Sequence, residues 1–134
     1  MSETPAPASS PDSQGRYVVL WHETPADYPR PPHFDLMLQA GDALATWAVE
    51  RWPGPGETVA AERLADHRRA YLTYEGPVSG DRGTVRRVAS GAYTLRRTSA
   101  GVELLLHHPL LGKDESVRIE ASSDGSLVMT NAVG

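Results

Sequence analysis

The sequence predicts an all-β fold with at most a minor helical part, a single-domain antiparallel β-barrel. The first observation is that short runs rich in Val, Leu, Tyr and Trp follow one another from Arg16 onward, each bounded by turn residues. The second is that three connections have the composition of hairpin turns: Ala40-Gly41-Asp42, Ser99-Ala100-Gly101 and Ser123-Asp124-Gly125. Short strands joined in this way are typical of an antiparallel sheet or barrel.

Eight strands are predicted, over residues 17–22, 33–39, 43–49, 82–88, 92–97, 102–107, 116–120 and 127–130. Residues 51–56 contain two prolines and two glycines, which predicts a loop. Residues 58–70 stay open between one short helix and a strand over 59–64, because their composition suits both. The alternating pattern gives five core candidates: Trp47, Val85, Val88, Tyr93 and Leu95.

At 134 residues, the chain is long enough for one hydrophobic core and too short for two. Residues 1–15 have almost nothing to bury, so we expect a disordered tail, with the barrel domain over residues 16–134. The sequence has no cysteine, which excludes disulfides and leaves His and carboxylates as the metal ligands. Since it has no signal peptide and no apolar run of about 20 residues, we expect a cytoplasmic protein without membrane contact, and a monomer.

The net charge of −4 argues against indiscriminate binding to nucleic acid. The arginines are nevertheless concentrated, because residues 63–97 hold eight of them against three acidic residues. Guanidinium groups suit bidentate contacts with phosphate, so this region is a candidate contact for a nucleic-acid backbone. The alternative is a general preference for Arg over Lys, since Lys113 is the only lysine in the chain.

A His-x-Asp pattern is the most informative local feature. On a strand, His33 and Asp35 share one face, and a hairpin would bring His22, which ends the preceding apolar run, alongside them. Two imidazoles and one carboxylate form a site for a divalent cation with positions left open for substrate. From the pattern alone, a hydrogen-bonded surface pair is an equally good reading.

Five segments occur in an order that is typical of one protein family: YVVLWH (17–22), HFDLML (33–38), TWAV (46–49), DHRRAYLTYEG (66–76) and RGTV (82–85). Over roughly residues 16–95, the chain thereby resembles the 3'-phosphoesterase domain of bacterial ligase D and the small free-standing proteins similar to it. The resemblance implies a manganese-dependent enzyme, or one using another divalent cation, that trims 3'-ribonucleotide or 3'-phosphate ends in DNA repair. Its expected partners are nucleic-acid 3' ends, of DNA, RNA or a hybrid, and a DNA ligase or polymerase acting in trans.

Residue by residue, the resemblance implies that His22, His33 and Asp35 bind the metal, and that His67 and Tyr71 contact the scissile phosphate. In the family, an arginine that binds phosphate follows the aspartate by two positions, and an acidic residue follows that arginine by two. The corresponding residues of this chain are Met37 and Gln39.

Two further departures lie nearby. The segment 23–32 is longer than in the family and contains four prolines, and Leu20-Trp21 replaces the family's Gln-Glu. Our own inference, which the resemblance does not supply, is that Arg82 replaces the missing arginine if its strand lines the same site. We expect the site at the mouth or in the interior of the barrel.

Two other functions remain open. A non-catalytic module that binds nucleic-acid ends through a metal anchor would explain Met37 and Gln39. An iron-dependent oxygenase would use His33, Asp35 and a distal histidine, His107 or His108, because two histidines and one carboxylate are also the ligand set of that class.

Overall fold

The computed structural model of the protein describes residues 11–108 and 113–132. Its strands are β1 (Ser13–Glu23), β2 (His33–Ala40), β3 (Ala43–Val49), β4 (Thr58–Arg68), β5 (Gly76–Pro77), β6 (Thr84–Arg97), β7 (Gly101–His108), β8 (Lys113–Ala121) and β9 (Leu127–Ala132). Within the described residues, the only helical element is a 3-10 helix at Arg69–Leu72. No helix in this part of the chain is long and apolar enough to cross a membrane.

The strands form one antiparallel sheet in the order β1-β2-β3-β4-β9-β8-β7-β6-β5. Strand β6 also pairs with β1 along almost its whole length, from Thr84 opposite Glu23 to Leu95 opposite Ser13. This pairing closes eight strands into a barrel, and the two-residue β5 is added at the start of β6. The predicted single-domain antiparallel β-barrel is therefore confirmed.

Two element boundaries differ from the expected ones, and one assignment that the sequence left open is decided. The predicted strands at 82–88 and 92–97 are one strand, β6, because Ala89-Ser90-Gly91 continues the pairing with β1 instead of forming a turn. Residues 58–68 form a strand, β4, which is held by β3 on one side and by β9 on the other. Strand β1 begins at Ser13, inside the segment expected to be a tail.

The inner face of the barrel carries the main hydrophobic core. All the surrounding strands contribute apolar side chains to it, including the buried members Tyr17, Val19, Leu36, Leu38, Val49, Tyr93, Leu95, Leu104, Leu106, Val117, Ile119 and Met129. Val88 is not among them, and the prediction that it is a core residue is wrong. It lies at the register shift where Val19 pairs with Ala89 and Leu20 pairs with Arg87, so this extra residue of β6 turns its side chain to solvent.

A second, smaller core covers the outer face of β1, β2, β3 and β6. Its buried members are Val18, Leu20, Met37, Leu44, Val78 and Val85, and Tyr71 and Leu72 of the 3-10 helix pack against it. Strands β1 and β2 are therefore buried on both faces, which explains why β1 contains an unbroken apolar run. We call this cluster the outer core.

Candidate metal centre

The two histidines and the aspartate converge on the outer face of the barrel wall. In the β1–β2 pairing, His22 lies opposite His33 and Leu20 lies opposite Asp35, so all four side chains share the face of the outer core. The site is thus beside the outer core, and the expectation of a site at the mouth or in the interior of the barrel is wrong. Alternation along a strand predicts which residues share a face, but not which face the barrel encloses.

The candidate ligand atoms lie close together. Asp35 Oδ1 is 3.2 Å from His33 Nε2, and Asp35 Oδ2 is 3.8 Å from His22 Nδ1. One ligand atom from each of the three residues lies within 4.8 Å of the others. The imidazole rings of His22 and His33 meet edge to face, with their centroids 5.0 Å apart.

Backbone carbonyls orient both imidazoles. His33 Nδ1 lies 2.8 Å from the carbonyl oxygen of Pro31, and His22 Nε2 lies 2.6 Å from that of Arg82. Because a carbonyl can only accept, each of these nitrogens carries the proton and donates it. The nitrogens that face Asp35 in the neutral rings therefore present lone pairs, as in imidazoles that bind metals.

The donor set fits a cation. Asp35 is 2% exposed, and its Oδ1 has no hydrogen-bond partner among the described residues, although His33 Nε2 lies 3.2 Å away. Burial lowers the pKa of His33, but the neighbouring Asp35 carboxylate and the Pro31 carbonyl outweigh it, so the pKa lies above its ordinary value. A buried carboxylate whose two oxygens each face a nitrogen lone pair requires a positive charge, which is either a proton on His33 or a bound metal ion.

The residues expected at the phosphate lie around the same pocket. It has a volume of about 380 Å³ and lies between β1, β2 and the end of β4, bordered by the 3-10 helix and the segment before β6. His22, His33, Asp35, His67, Tyr71 and Arg82 all line it. Six residues chosen from the sequence thus surround one cavity.

His67 and Tyr71 form a pair at one side of this pocket. His67 Nδ1 donates to the carbonyl of Ala65 at 3.0 Å, which leaves Nε2 as the nitrogen available to a ligand. The rings of His67 and Tyr71 meet edge to face at 5.7 Å, and Tyr71 meets Tyr74 in the same way at 5.8 Å. The aromatic contacts fix the orientation of the imidazole.

Arg82 contributes its backbone to the site. Its guanidinium donates to the carbonyl oxygen of Ser79 at 2.6 Å and to Ser79 Oγ at 3.0 Å, while its own carbonyl orients His22. The next residue, Gly83, has φ of +93°, and a Cβ at this position would lie 2.0 Å from the carbonyl oxygen of Glu23. Only glycine allows the chain to approach β1 closely enough for the Arg82 carbonyl to reach His22.

The two departures on β2 have different surroundings. Met37 lines the pocket, but it is 1% exposed and belongs to the outer core. Gln39 does not line the pocket; with its amide oxygen turned toward Arg69, it accepts from that guanidinium at 3.2 and 3.3 Å. Beyond Asp35, therefore, β2 offers no polar side chain to this pocket.

The sequence analysis missed Tyr28 and Arg30, which also line the pocket. Both lie in the loop between β1 and β2. The available signal was that an arginine between Pro29 and Pro31 has a restricted backbone, which presents a side chain in a fixed direction.

His107 is not part of this site. It lies on β7, its Nδ1 is 3.0 Å from Asp114 Oδ1, and it does not line the pocket. The structure therefore does not assemble His107 with His33 and Asp35, as the oxygenase alternative requires. The side chain of His108 lies outside the described residues.

Searches of protein-family models and of curated proteins found no match to this chain.

Proposed function

We propose that this protein is a manganese-dependent 3'-phosphoesterase that processes 3'-phosphate or 3'-ribonucleotide ends of nucleic acid in DNA repair, in the cytoplasm. The observation that carries the proposal is the convergence of His22, His33 and Asp35 in the pocket that His67 and Tyr71 also line. Metal ligands and potential proton donors around one cavity are what hydrolysis of a phosphate ester requires.

The ligand set supports the choice of cofactor. Imidazole and carboxylate together are compatible with Mn²⁺, and they also fit other divalent cations such as Fe²⁺ and Zn²⁺. Three protein ligands leave coordination positions open for substrate. A cation bound there supplies positive charge that polarises a phosphate oxygen.

The remaining residues act on the substrate directly. In hydrolysis of a 3'-phosphate, a water oxygen bonds to phosphorus, the bond between phosphorus and the 3'-oxygen breaks, and the departing alkoxide requires a proton. In the proposed mechanism His67 carries a second proton on Nε2 and gives it to the departing alkoxide, while its Nδ1–H stays hydrogen-bonded to the Ala65 carbonyl. The attacking water releases a proton to solvent as its oxygen bonds to phosphorus, and His67 takes up a proton from solvent before the next turnover. The Tyr71 hydroxyl donates to a nonbridging oxygen. The product is a 3'-hydroxyl end, which a DNA ligase or polymerase acting in trans requires.

The test is an end-trimming assay on a labelled duplex whose strand ends in a 3'-phosphate or a 3'-ribonucleotide, with Mn²⁺ or with a chelator. We expect trimming by the parent protein with Mn²⁺ only, and none by Asp35→Asn. His67→Ala should retain Mn²⁺ affinity but lower turnover by about 10²- to 10⁴-fold, as expected for loss of a general acid.

Other outcomes have separate meanings. Binding to 3' ends that needs Mn²⁺ but gives no product would support the non-catalytic module, which the apolar surroundings of Met37 also favour. Absence of Mn²⁺ binding would refute both the enzyme and the module. Repeating the assay on DNA, RNA and hybrid ends identifies the substrate.

A further inference from the structure

Arg30 lies between two cavities. The first is the metal pocket, and the second is a cleft of about 580 Å³ where β3 and β4 separate beyond the pairing of Ala48 with Glu62. Arg30 and His33 line both cavities, whereas Glu62 lines only the cleft. Arg30 is therefore the cationic side chain at the boundary of the metal pocket.

The backbone of Arg30 is held in place from two directions. Thr24, which is 7% exposed, donates its hydroxyl to the Arg30 carbonyl oxygen at 2.8 Å. Pro29 and Pro31 restrict the backbone on either side, and the carbonyl of Pro31 orients His33. The same short segment thus positions a metal ligand and a guanidinium group.

The guanidinium itself is held less firmly. It contacts Glu62 through two hydrogen bonds, Nη1 to Oε1 at 2.5 Å and Nη2 to Oε2 at 3.1 Å. The Arg30 side chain is 32% exposed and that of Glu62 is 59% exposed. Ion pairs with this exposure contribute little to stability, so a stronger anion can replace Glu62.

The charge of Arg30 already acts on the metal ligands. The hydrogen bond to Glu62 raises the pKa of Arg30, and the Asp35 carboxylate adds to the increase. Conversely, the pKa of His33 lies above its ordinary value, and the charge of Arg30, together with burial, opposes that increase. Both effects indicate that the guanidinium lies within electrostatic range of the metal pocket.

Other cationic residues at the pocket are less suited to bind an anion there. The guanidinium of Arg82 donates to Ser79. Arg68 also lines the pocket, but it is exposed at the end of β4, directly after His67, and does not border the cleft as Arg30 does. Position 37, where the ligase family has its arginine, is a buried methionine.

We propose that Arg30 binds the substrate phosphate at the metal pocket, exchanging Glu62 for two phosphate oxygens. Arg30 would then bind the phosphate from the β1–β2 loop, which the buried Met37 on β2 cannot do. The inference rests on the proposed function, because it assumes that a phosphate group occupies the pocket. Glu62 in this proposal is a competitor that holds the guanidinium until substrate arrives.

The experiment is calorimetric titration of inorganic phosphate into the manganese-loaded full chain. Loss of a charge-assisted bidentate contact should weaken phosphate binding by Arg30→Ala about ten- to hundredfold. Arg30→Lys should give an intermediate loss, because it keeps the charge without the planar fork. Glu62→Gln should tighten binding by up to about fivefold, the equivalent of an exposed ion pair.

Arg51→Ala is the matched control. Arg51 forms a comparable exposed ion pair, 2.6 Å from Glu57, and it lines the cleft but not the metal pocket. It should bind phosphate as the parent does. Every variant should bind Mn²⁺ within about fivefold of the parent, the size of a change in one exposed charge, and unfold at the temperature of the parent to within a few degrees, which separates lost phosphate binding from lost folding.

A second titration distinguishes a nucleic-acid end from free phosphate, using an oligonucleotide with a 3'-phosphate or a 3'-hydroxyl. Preference for the 3'-phosphate that Arg30→Ala loses supports the inference for nucleic-acid ends. If the parent binds phosphate and Arg30→Ala binds it equally well, the inference is wrong while the proposed function stands. If the manganese-loaded parent binds no phosphate in either form, the inference and the proposed function both fail.

Discussion

Two histidine–carboxylate pairs in this barrel have nearly the same nitrogen–oxygen separation and very different surroundings. His33 Nε2 lies 3.2 Å from Asp35 Oδ1, and their side chains are 3% and 2% exposed. His107 Nδ1 lies 3.0 Å from Asp114 Oδ1, and these side chains are 38% and 51% exposed. The separation of the charged atoms therefore cannot distinguish a candidate metal site from a surface pair.

Two features distinguish the buried pair from the exposed one: its burial, and the presence of His22 as a third candidate ligand. The exposed pair is hydrogen-bonded and solvated, so its carboxylate requires no further positive charge. In the buried pair, a carboxylate oxygen has no hydrogen-bond partner among the described residues, and His22 adds a further nitrogen 3.8 Å from the same carboxylate. A buried arrangement of this kind is stable only with a compensating positive charge, which is why we propose it, and not the exposed pair, as the metal site.

The largest expected effect separates the two pairs by Mn²⁺ affinity. His33→Ala removes one of three protein ligands, and changes in groups that only support a ligand already cost about 10- to 100-fold, so we expect a loss of at least about 100-fold. His107→Ala should bind Mn²⁺ as the parent does. Calorimetry of the parent and both variants gives the comparison, and equal losses in the two variants would show that the buried pair is not the metal site.

The second prediction concerns His22, the third candidate ligand, whose orientation depends on Gly83. Gly83→Ala places a Cβ against the backbone of Glu23 at positive φ, so the start of β6 must shift and carry the Arg82 carbonyl away from His22. We expect a loss of about 2–3 kcal/mol in the free energy of unfolding, from strain together with the clash. We also expect Mn²⁺ affinity to fall about tenfold, as for other losses of a group that orients a ligand.

Gly125→Ala is the control for backbone strain alone. Gly125 has φ of +89°, close to that of Gly83, but no atom lies within 4 Å of an added Cβ. It should cost about 1 kcal/mol and leave Mn²⁺ affinity unchanged. Equal Mn²⁺ affinities for the Gly83 and Gly125 variants would mean that the close approach of β6 to β1 does not orient His22.

Strands β1 and β2 have one face toward the barrel interior and one toward the outer core, and these two faces show how much could be predicted from the sequence. Alternation was sufficient to place His33 and Asp35 on one face, and a hairpin was sufficient to add His22. The closed antiparallel barrel followed from short strands and hairpin turns. Which face the barrel encloses depends on the pairing of β1 with β6, more than 60 residues apart, and no local pattern contains that information.

Long-range contacts also account for what was missed. The sequence predicted two strands, over 82–88 and 92–97, yet β1 pairs with the intervening Ala89-Ser90-Gly91 as well, so that they form the single strand β6. Residues 58–68 suited a helix or a strand, and two neighbouring strands decided the outcome. The position of Arg30 at the pocket depends on Thr24 and Glu62, which are distant from each other in sequence.

The smallest expected effect is that of Arg82→Ala. It tests whether the backbone carbonyl of Arg82 or its side chain sets the orientation of His22. The variant keeps the backbone carbonyl that orients His22 and loses only a guanidinium that donates to Ser79. Mn²⁺ affinity should therefore remain that of the parent, and turnover in the end-trimming assay should fall less than about tenfold, well below the cost of a lost transition-state donor.

Our inference from the sequence was that Arg82 replaces the missing arginine, whereas the geometry supports Arg30, so the two variants should be compared in parallel. If Arg82→Ala loses turnover by more than about 100-fold, as expected for a direct phosphate donor, its guanidinium must leave Ser79 during the reaction and the assignment to Arg30 is wrong. If it loses Mn²⁺ affinity instead, the side chain and not the carbonyl sets the orientation of His22. Only unchanged Mn²⁺ binding together with a small kinetic effect agrees with the role that the geometry gives Arg82. In that role its backbone carbonyl, held in place by Gly83, orients His22 beside the buried pair, whereas the exposed His107–Asp114 pair has no third residue of this kind among the residues that the structure describes.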